Sequence, residues 1–416
     1  MEEKQLKDLV KELKVKNFQF NSIYEFSSSI YSSFNLESIF RIFFSTIMGH
    51  MGITRAFFFD EKNKLLEKRG FRFGKNEKQA LKDGLKAGEE EWEHIEVRTI
   101  EKKNPELFEI LAEKNISNLI NLAEKGEKII VLGLGQKFNR LDLKQEDLDF
   151  SLFLSRFTLI AIENSFMISK MIEKQKMEHE INIAKEIQLS LLPQELPEFK
   201  NFDIAVKYEP IQGVGGDYYD ILKEKDGKTP VLIADVEGKG LSAALLAASS
   251  QAIFHAVNDL YFSGPEDFLS KANSLIYNFT RGNRFITIFW MIVDDKKRSV
   301  SYVNAGHIEP ILISGKQATP LSKGGFLTGF TNDASYEKGK LSLKSGDVIA
   351  AFTDGVPEIE NGEGEEYGVD RMIKFIMKKK DKTAAEINEG IYKQMFKFSG
   401  NRKPADDCTL IILKVK

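Results

Sequence analysis

Cysteine is almost absent from this chain of 416 residues: Cys408 is the only one, and five histidines are scattered along the rest. A lone cysteine excludes an intrachain disulfide and fits a reducing compartment. So little sulfur and clustered imidazole also argues against a zinc centre. Long hydrophobic runs are missing too. No uninterrupted apolar stretch approaches ~18 residues, so no membrane span is expected. The start, Met-Glu-Glu-Lys-Gln-Leu-Lys, has no basic region followed by an apolar core, so no secretory signal is expected, and the expected location is the cytoplasm. Neither sign of charge dominates: the formal net charge is −3. That argues against a general nucleic-acid binder, whose binding surface should be strongly basic. The run Lys378-Lys379-Lys380 reads as a solvated helix end. There are no internal repeats and no low-complexity segment.

What is present is the composition of a folded protein, 42% hydrophobic and 29% charged. The length exceeds one ordinary core, so two or three domains are expected. Residues 1 to about 50 read as helix, from Leu6, Leu9, Val10 and Leu13 and then from Ile39, Phe40, Ile42, Phe43, Phe44 and Ile47 at helical spacing. Asn35 is a candidate cap for the second segment. Ala56 to Asp60 and Leu65 to Arg72 read as a strand hairpin, and Lys128 to Leu134 as a further strand.

From Glu146 to about Leu192 no proline interrupts a helical pattern. Phe157, Ile160, Asn164, Met167, Met171, Ile172 and Met177 mark a stripe too long for one small domain to bury. A coiled coil joining two domains in a homodimer is one solution; two helices with a break near Ser169 is the other. Pro193 ends the stretch. Beyond it, strands are expected at 202–208, 218–223, 231–236, 285–293, 299–303, 310–314, 347–353 and 409–415. Helices are expected at 242–260 and 265–281, with two more between Tyr367 and about Phe398. Strands in runs with helices grouped apart indicate an α+β fold.

Four stretches of this second half set acidic residues where a strand would end or begin, three of them beside glycines. They are Gly215-Gly216-Asp217-Tyr218-Tyr219-Asp220, Ala234-Asp235-Val236-Glu237-Gly238-Lys239-Gly240, Phe352-Thr353-Asp354-Gly355 and Ala405-Asp406-Asp407-Cys408-Thr409. Singly, each is an ordinary turn. Together they supply hard oxygen donors from four segments, the donor set of Mg²⁺ or Mn²⁺. Two such ions ~3.5–4 Å apart can clamp a phosphate ester and activate water. Gly-Val-Gly-Gly lacks the Gly-Lys-Ser/Thr ending of a phosphate loop. Gly215-Gly216-Asp217 matches the start of a diguanylate cyclase signature, but Tyr218-Tyr219 departs from it.

Residues from about 184 to 416 resemble the PP2C-type (PPM) serine/threonine phosphatases of the RsbU/SpoIIE class. The matching stretches are Ala184 to Pro193, Val214 to Asp220, Ala234 to Gly240, Asn304-Ala305-Gly306-His307, Thr353 to Glu358 and Asp406 to Leu410, in order and at fitting spacing. The resemblance implies an αββα sandwich of two antiparallel sheets with two Mn²⁺ or Mg²⁺ ions in a cleft at one end. It implies that Asp235 bridges the ions beside the Val236 carbonyl, with Asp217, Asp354 and Asp406 completing the catalytic shell. Asp407 would be a further ligand, and Asp220 and Asp407 alternatively support the shell. The implied substrate is a phosphorylated anti-sigma-factor antagonist, a STAS-domain protein. Residues from about 20 to 165 resemble a GAF sensor domain, responding to a small molecule or protein. The expected domains are therefore 1–165 (GAF-like), 166–193 (linker helix) and 194–416 (PP2C-like).

Several neighbouring residues carry two readings. His307 is either a general acid or the fixing point of a loop between strands. Cys408 reads as a buried small hydrophobe. Lys239 is expected to point to solvent. Glu237 stands where the class has a small or neutral residue, so it would join the shell or repel the phosphate. A non-catalytic binding module and a different phosphotransferase, such as a nucleotide cyclase, are the competing functions.

Overall fold

A computed structural model describes residues 17, 20–30, 33, 35–86, 92–123, 128–211, 213–260, 264–402 and 404–416. The expected helical positions Leu6, Leu9, Val10 and Leu13 lie outside them. The chain divides into two compact units, Met1–Gln175 and Lys176–Lys416. The division falls inside the segment expected to be the linker helix.

The first unit opens with helical residues 20–30 (α1) and α2 (Leu36–Met51). Asn35 caps α2, its side chain accepting from the Ser38 N–H at 2.8 Å. Strands β1 (Ala56–Asp60) and β2 (Leu65–Arg69) form the expected hairpin, followed by α3 (Lys75–Lys86), β3 (His94–Glu96), α4 (Pro105–Glu113), β4 (Ile116–Asn121) and β5 (Ile130–Gly135). The antiparallel sheet runs β2-β1-β5-β4-β3. Helices cover both faces, which explains why Ala56-Phe57-Phe58-Phe59 is apolar without alternation. Phe58 packs with Phe40 and Phe43 of α2, while Phe57 and Phe59 pack with Leu81, Leu107 and Leu111 on the other side.

Helix α5 (Gln145–Leu191) is continuous for 47 residues, so the break near Ser169 does not occur. By length and composition alone it is long and apolar enough to cross a membrane. Leu148, Phe150, Leu154 and Ile162, however, are buried in the unit's own core. A second apolar set on the same helix is exposed: Phe153, Ile160, Met167, Met171, Ile172 and Met177.

The second unit is an αββα sandwich. One sheet runs β13-β10-β9-β8-β7, with β14 also on β10; the other runs β12-β11-β15-β16-β6. Their ranges are β6 (Phe202–Glu209), β7 (Asp217–Ile221), β8 (Lys228–Val236), β9 (Ile286–Asp294), β10 (Ser299–Ala305), β11 (Ile311–Ser314), β12 (Gln317–Pro320), β13 (Gly324–Gly325), β14 (Gly339–Ser342), β15 (Val348–Phe352) and β16 (Cys408–Val415). Period-two alternation sorts each strand between two cores. Val231 and Ile233 of β8, Phe289 and Met291 of β9, Ile349 and Ala351 of β15, and Ile411 and Leu413 of β16 meet between the sheets. Their alternates face outward. Leu232, Ala234, Ile288 and Trp290 meet Phe254 of α6 (Leu241–Leu260) and Phe268 of α7 (Pro265–Thr280). Val348, Ala350, Leu410 and Ile412 meet Met372 and Ile376 of α8 (Val369–Lys379) and Ile391 of α9 (Ala384–Phe398).

Candidate active site

The inter-sheet layer changes character at one end. Following the alternation of β8 past Val231 and Ile233, the next residue on that face is Asp235. Its partner across β7 is Asp217, and across β9 it is Thr287. On the opposite sheet the same row ends in Thr353, just past β15, and Thr409 of β16. The strand alternation that builds the core therefore also lines up a polar row where the core stops.

Asp217 is buried, and one carboxylate oxygen takes both threonine hydroxyls, Thr353 Oγ1 at 2.6 Å and Thr409 Oγ1 at 2.5 Å. Burial raises its pKa well above the carboxylate range and the Asp235 charge adds to this, while the two hydroxyls oppose it. Asp235 is pushed up to about 7, by burial first and then by Asp354, Asp406 and Asp407. Asp354 follows Thr353 in a turn closed by Glu358 N–H donating to the Asp354 carbonyl at 3.0 Å. Burial and then Asp406 raise its pKa. Glu358 is raised as well, by burial and by Asp354. Four separated segments thus bring Asp217, Asp235, Asp354, Asp406 and Asp407 within electrostatic reach of one another.

Asp407 braces the glycine segment. One oxygen accepts the Ile211 N–H at 2.9 Å and the other the Gly216 N–H at 2.7 Å. Gly216 permits a close approach: a Cβ there would stand 3.0 Å from the Val236 carbonyl oxygen and 3.3 Å from that of Gly238. From the other side Gln188, buried near the end of α5, holds Gly215 by two hydrogen bonds, Nε2 to its carbonyl and its N–H to Oε1. Asp220 is not part of the gathering. It faces the helix layer, where it accepts from the Tyr218 hydroxyl and meets His255 Nε2 at 2.8 Å.

The expectation for Lys239 needs correction. Its side chain is half exposed, yet its ammonium lies 2.5 Å from Asp406 Oδ2 and donates to the Ala405 carbonyl at 3.2 Å. The pull of several carboxylates on one nearby cation outweighs free solvation. Glu237 lines a groove with Leu245 and Arg284. His307 sits in the loop after β10, with Nδ1 2.9 Å from Thr287 Oγ1 and its N–H donating to Asn304 Oδ1 at 2.8 Å. Burial lowers its pKa to about 4, so the ring is neutral at pH 7, which matches the loop-fixing reading. Cys408 is buried and burial raises its thiol pKa, as expected of a packing residue. The sequence reading missed Thr353 and Thr409; Thr353 adjoins Asp354, and Thr409 lies two residues after Asp407.

The donors fit a hard divalent cation. All are oxygens and all are at least partly buried, and burial with neighbouring carboxylates raises the pKa of Asp217, Asp235 and Asp354. Among the described residues no three acidic side chains stand close enough to grip one ion as they are.

Known proteins share this arrangement of elements. The family model described as "Stage II sporulation protein E (SpoIIE)" matches residues 225–416. The chain is 32% identical over 249 residues to phosphoserine phosphatase RsbU of Bacillus subtilis (strain 168), covering 58% of this chain and 72% of that protein. It is 24% identical over 189 residues to phosphoserine phosphatase RsbP of the same organism, covering 44% and 46%. Among solved structures, the SiaA-PP2C domain of Pseudomonas aeruginosa matches with a TM-score of 0.53 at 19% identity, over 59% of this chain and 99% of that one, a likeness of fold.

Proposed function

The chain belongs to the RsbU/SpoIIE class of PP2C-type serine/threonine phosphatases and is a phosphoester hydrolase; on that premise we propose that its second unit is a metal-dependent phosphoprotein phosphatase governed by the first. The observation that carries this is the gathering of Asp217, Asp235, Asp354 and Asp406 from four segments at the end of the inter-sheet layer, with Asp235 raised to about 7.

Asp217, Asp235, the Val236 carbonyl, Asp354 and Asp406 would hold two Mn²⁺ or Mg²⁺ ions, which when bound would supply positive charge for the phosphate oxygens and acidity for water. The chain's own residues do the positioning. Thr353 and Thr409 fix the Asp217 carboxylate; Asp407 and Gln188 fix the glycine segment before it. Asp407, expected as a ligand, serves here as the brace. Lys239 tethers the Asp406 segment to the turn after β8.

The substrate is a serine-phosphorylated STAS-domain anti-sigma-factor antagonist, as the class resemblance implies. The first unit is a GAF-like sensor domain for a small-molecule or protein signal. The homodimer forms along the exposed stripe of α5, and the protein acts in the cytoplasm. Because α5 is continuous as far as Gln188, a change in how its stripe is paired alters the support of Gly215, a two-state coupling. Phosphate release from a serine-phosphorylated STAS-domain protein tests the reading. Release by the wild type with Mn²⁺, and none by Asp235→Asn, is expected. Equal release by both would overturn the assignment of the site.

A further inference from the structure

The site's rim carries a concentration of exposed apolar side chains that packing does not explain. Leu245 on α6 and Phe279 on α7 are each 62% exposed. They line one groove with Arg284, just before β9. On the other side of Arg284 the segment after β13 turns back against β9, Thr328 and Ile286 exchanging backbone hydrogen bonds at 2.8 and 3.0 Å. That segment presents Phe326 and Phe330, 53% and 48% exposed, with rings 5.5 Å apart. Four large exposed apolar groups near one cation have the composition of a protein contact.

Arg284 adjoins the site without facing into it. Val236 pairs with Ile286, and the Glu237 N–H donates to the Phe285 carbonyl. The next residue outward, Arg284, brings Nη1 within 3.3 Å of where a Cβ on Gly238 would stand. Thr287 shares the inter-sheet face of Asp235, and Ile286 belongs to the helix-side core. By alternation Arg284 falls on the helix side, in the groove with Leu245. Among the described residues no hydrogen bond or ion pair engages its guanidinium. A phosphate at the carboxylate cluster would therefore lie beside Arg284, while a neighbouring side chain of the same substrate would lie over it.

We propose that Leu245, Phe279, Phe326 and Phe330 around Arg284 form the docking surface for the phosphoprotein substrate, which presents an apolar side chain and a carboxylate next to its phosphoserine. Arg284 pairs with that carboxylate and so selects among phosphoserine sites. This rests on the phosphatase reading of the adjoining carboxylates.

The test uses the full chain with Mn²⁺ and two phosphoserine peptides, identical except that one carries Leu and Glu beside the phosphoserine and the other Ser and Lys. The wild type should favour the Leu/Glu peptide by about tenfold in kcat/KM. Arg284→Glu should reverse the order of the pair, and Phe279→Ser should shrink the preference to about threefold. A reversed order is a readout that mere loosening of the fold does not produce. An unchanged preference in Arg284→Glu, or loss of both peptides together, would overturn the docking assignment. Wild-type protein that hydrolyses neither peptide nor p-nitrophenyl phosphate would instead contradict the phosphatase reading beneath it.

Discussion

Gln188 satisfies both backbone polar groups of Gly215, donating from Nε2 to the carbonyl at 2.7 Å and accepting the N–H on Oε1 at 3.0 Å. Both residues lie in buried surroundings, and Asp217 follows two positions later. Leucine is similar in size and can make neither bond. Leaving the pair unmet costs about 1–3 kcal/mol per group, enough to displace the loop. In Gln188→Leu, the Mn²⁺ concentration for half-maximal p-nitrophenyl phosphate hydrolysis should rise about tenfold, with partial recovery at saturating Mn²⁺. An unchanged Mn²⁺ dependence would show that the helix end does not support the site.

Gly355 answers to a different constraint, the space behind Asp354. A Cβ there would stand 2.1 Å from the Asp407 carbonyl oxygen and 3.0 Å from that of Asp406. Backbone cannot give way as a side chain would. Gly355→Ala should cost about 3 kcal/mol in urea unfolding and push the Asp406 segment away, lowering activity as well. Wild-type stability in this variant would mean that the two segments are not packed so closely.

His307 gives the fold an acid-sensitive point. Its pKa falls from the ordinary 6.5 to about 4, because burial penalises the charged ring. Between those values the unfolded chain binds a proton that the folded chain does not. Stability from this residue is therefore complete above pH 6.5 and is lost as pH falls towards 4, on the order of 3 kcal/mol in all. His307→Gln should lose about 2 kcal/mol less than the wild type between pH 7 and pH 5, measured by urea unfolding. Parallel losses in the two proteins would contradict the buried neutral ring.

The exposed stripe on α5 makes an oligomeric prediction. Ile160 and Met167 are 52% and 61% exposed and one heptad apart. Replacing both with Glu should convert a dimer to a monomer in light scattering. A dimer that survives both changes would place the self-association elsewhere.

The layered second unit was legible because its central strands alternate cleanly and its helices carry wide apolar stripes. The edges were not. Gln317–Pro320 and Gly324–Gly325 have almost no apolar residue to reveal β12 and β13, which gain their strand form by pairing to β11 and β10. In the first unit, α3 buries only Leu81 and Leu85 in a charged sequence, too few to mark a face. The aspartates were legible because each sits at a strand end or start, Asp217 and Asp354 directly beside a glycine. Thr353 and Thr409 were not, since a threonine in or just past a strand is unremarkable until the fold sets both hydroxyls on one Asp217 oxygen. Lys239 was misjudged for a related reason: its pull towards Asp406 depends on a distant segment whose Ala405 carbonyl, 166 residues along the chain, also holds it.

The most direct test is Mn²⁺ titration by calorimetry, paired with p-nitrophenyl phosphate hydrolysis, in the wild type and in Asp354→Asn. The account predicts Mn²⁺ binding and EDTA-sensitive hydrolysis in the wild type, with binding weakened and hydrolysis reduced on the order of a hundredfold in the variant. Hydrolysis that survives EDTA, or equal binding and turnover in Asp354→Asn, would contradict a metal site built on these carboxylates.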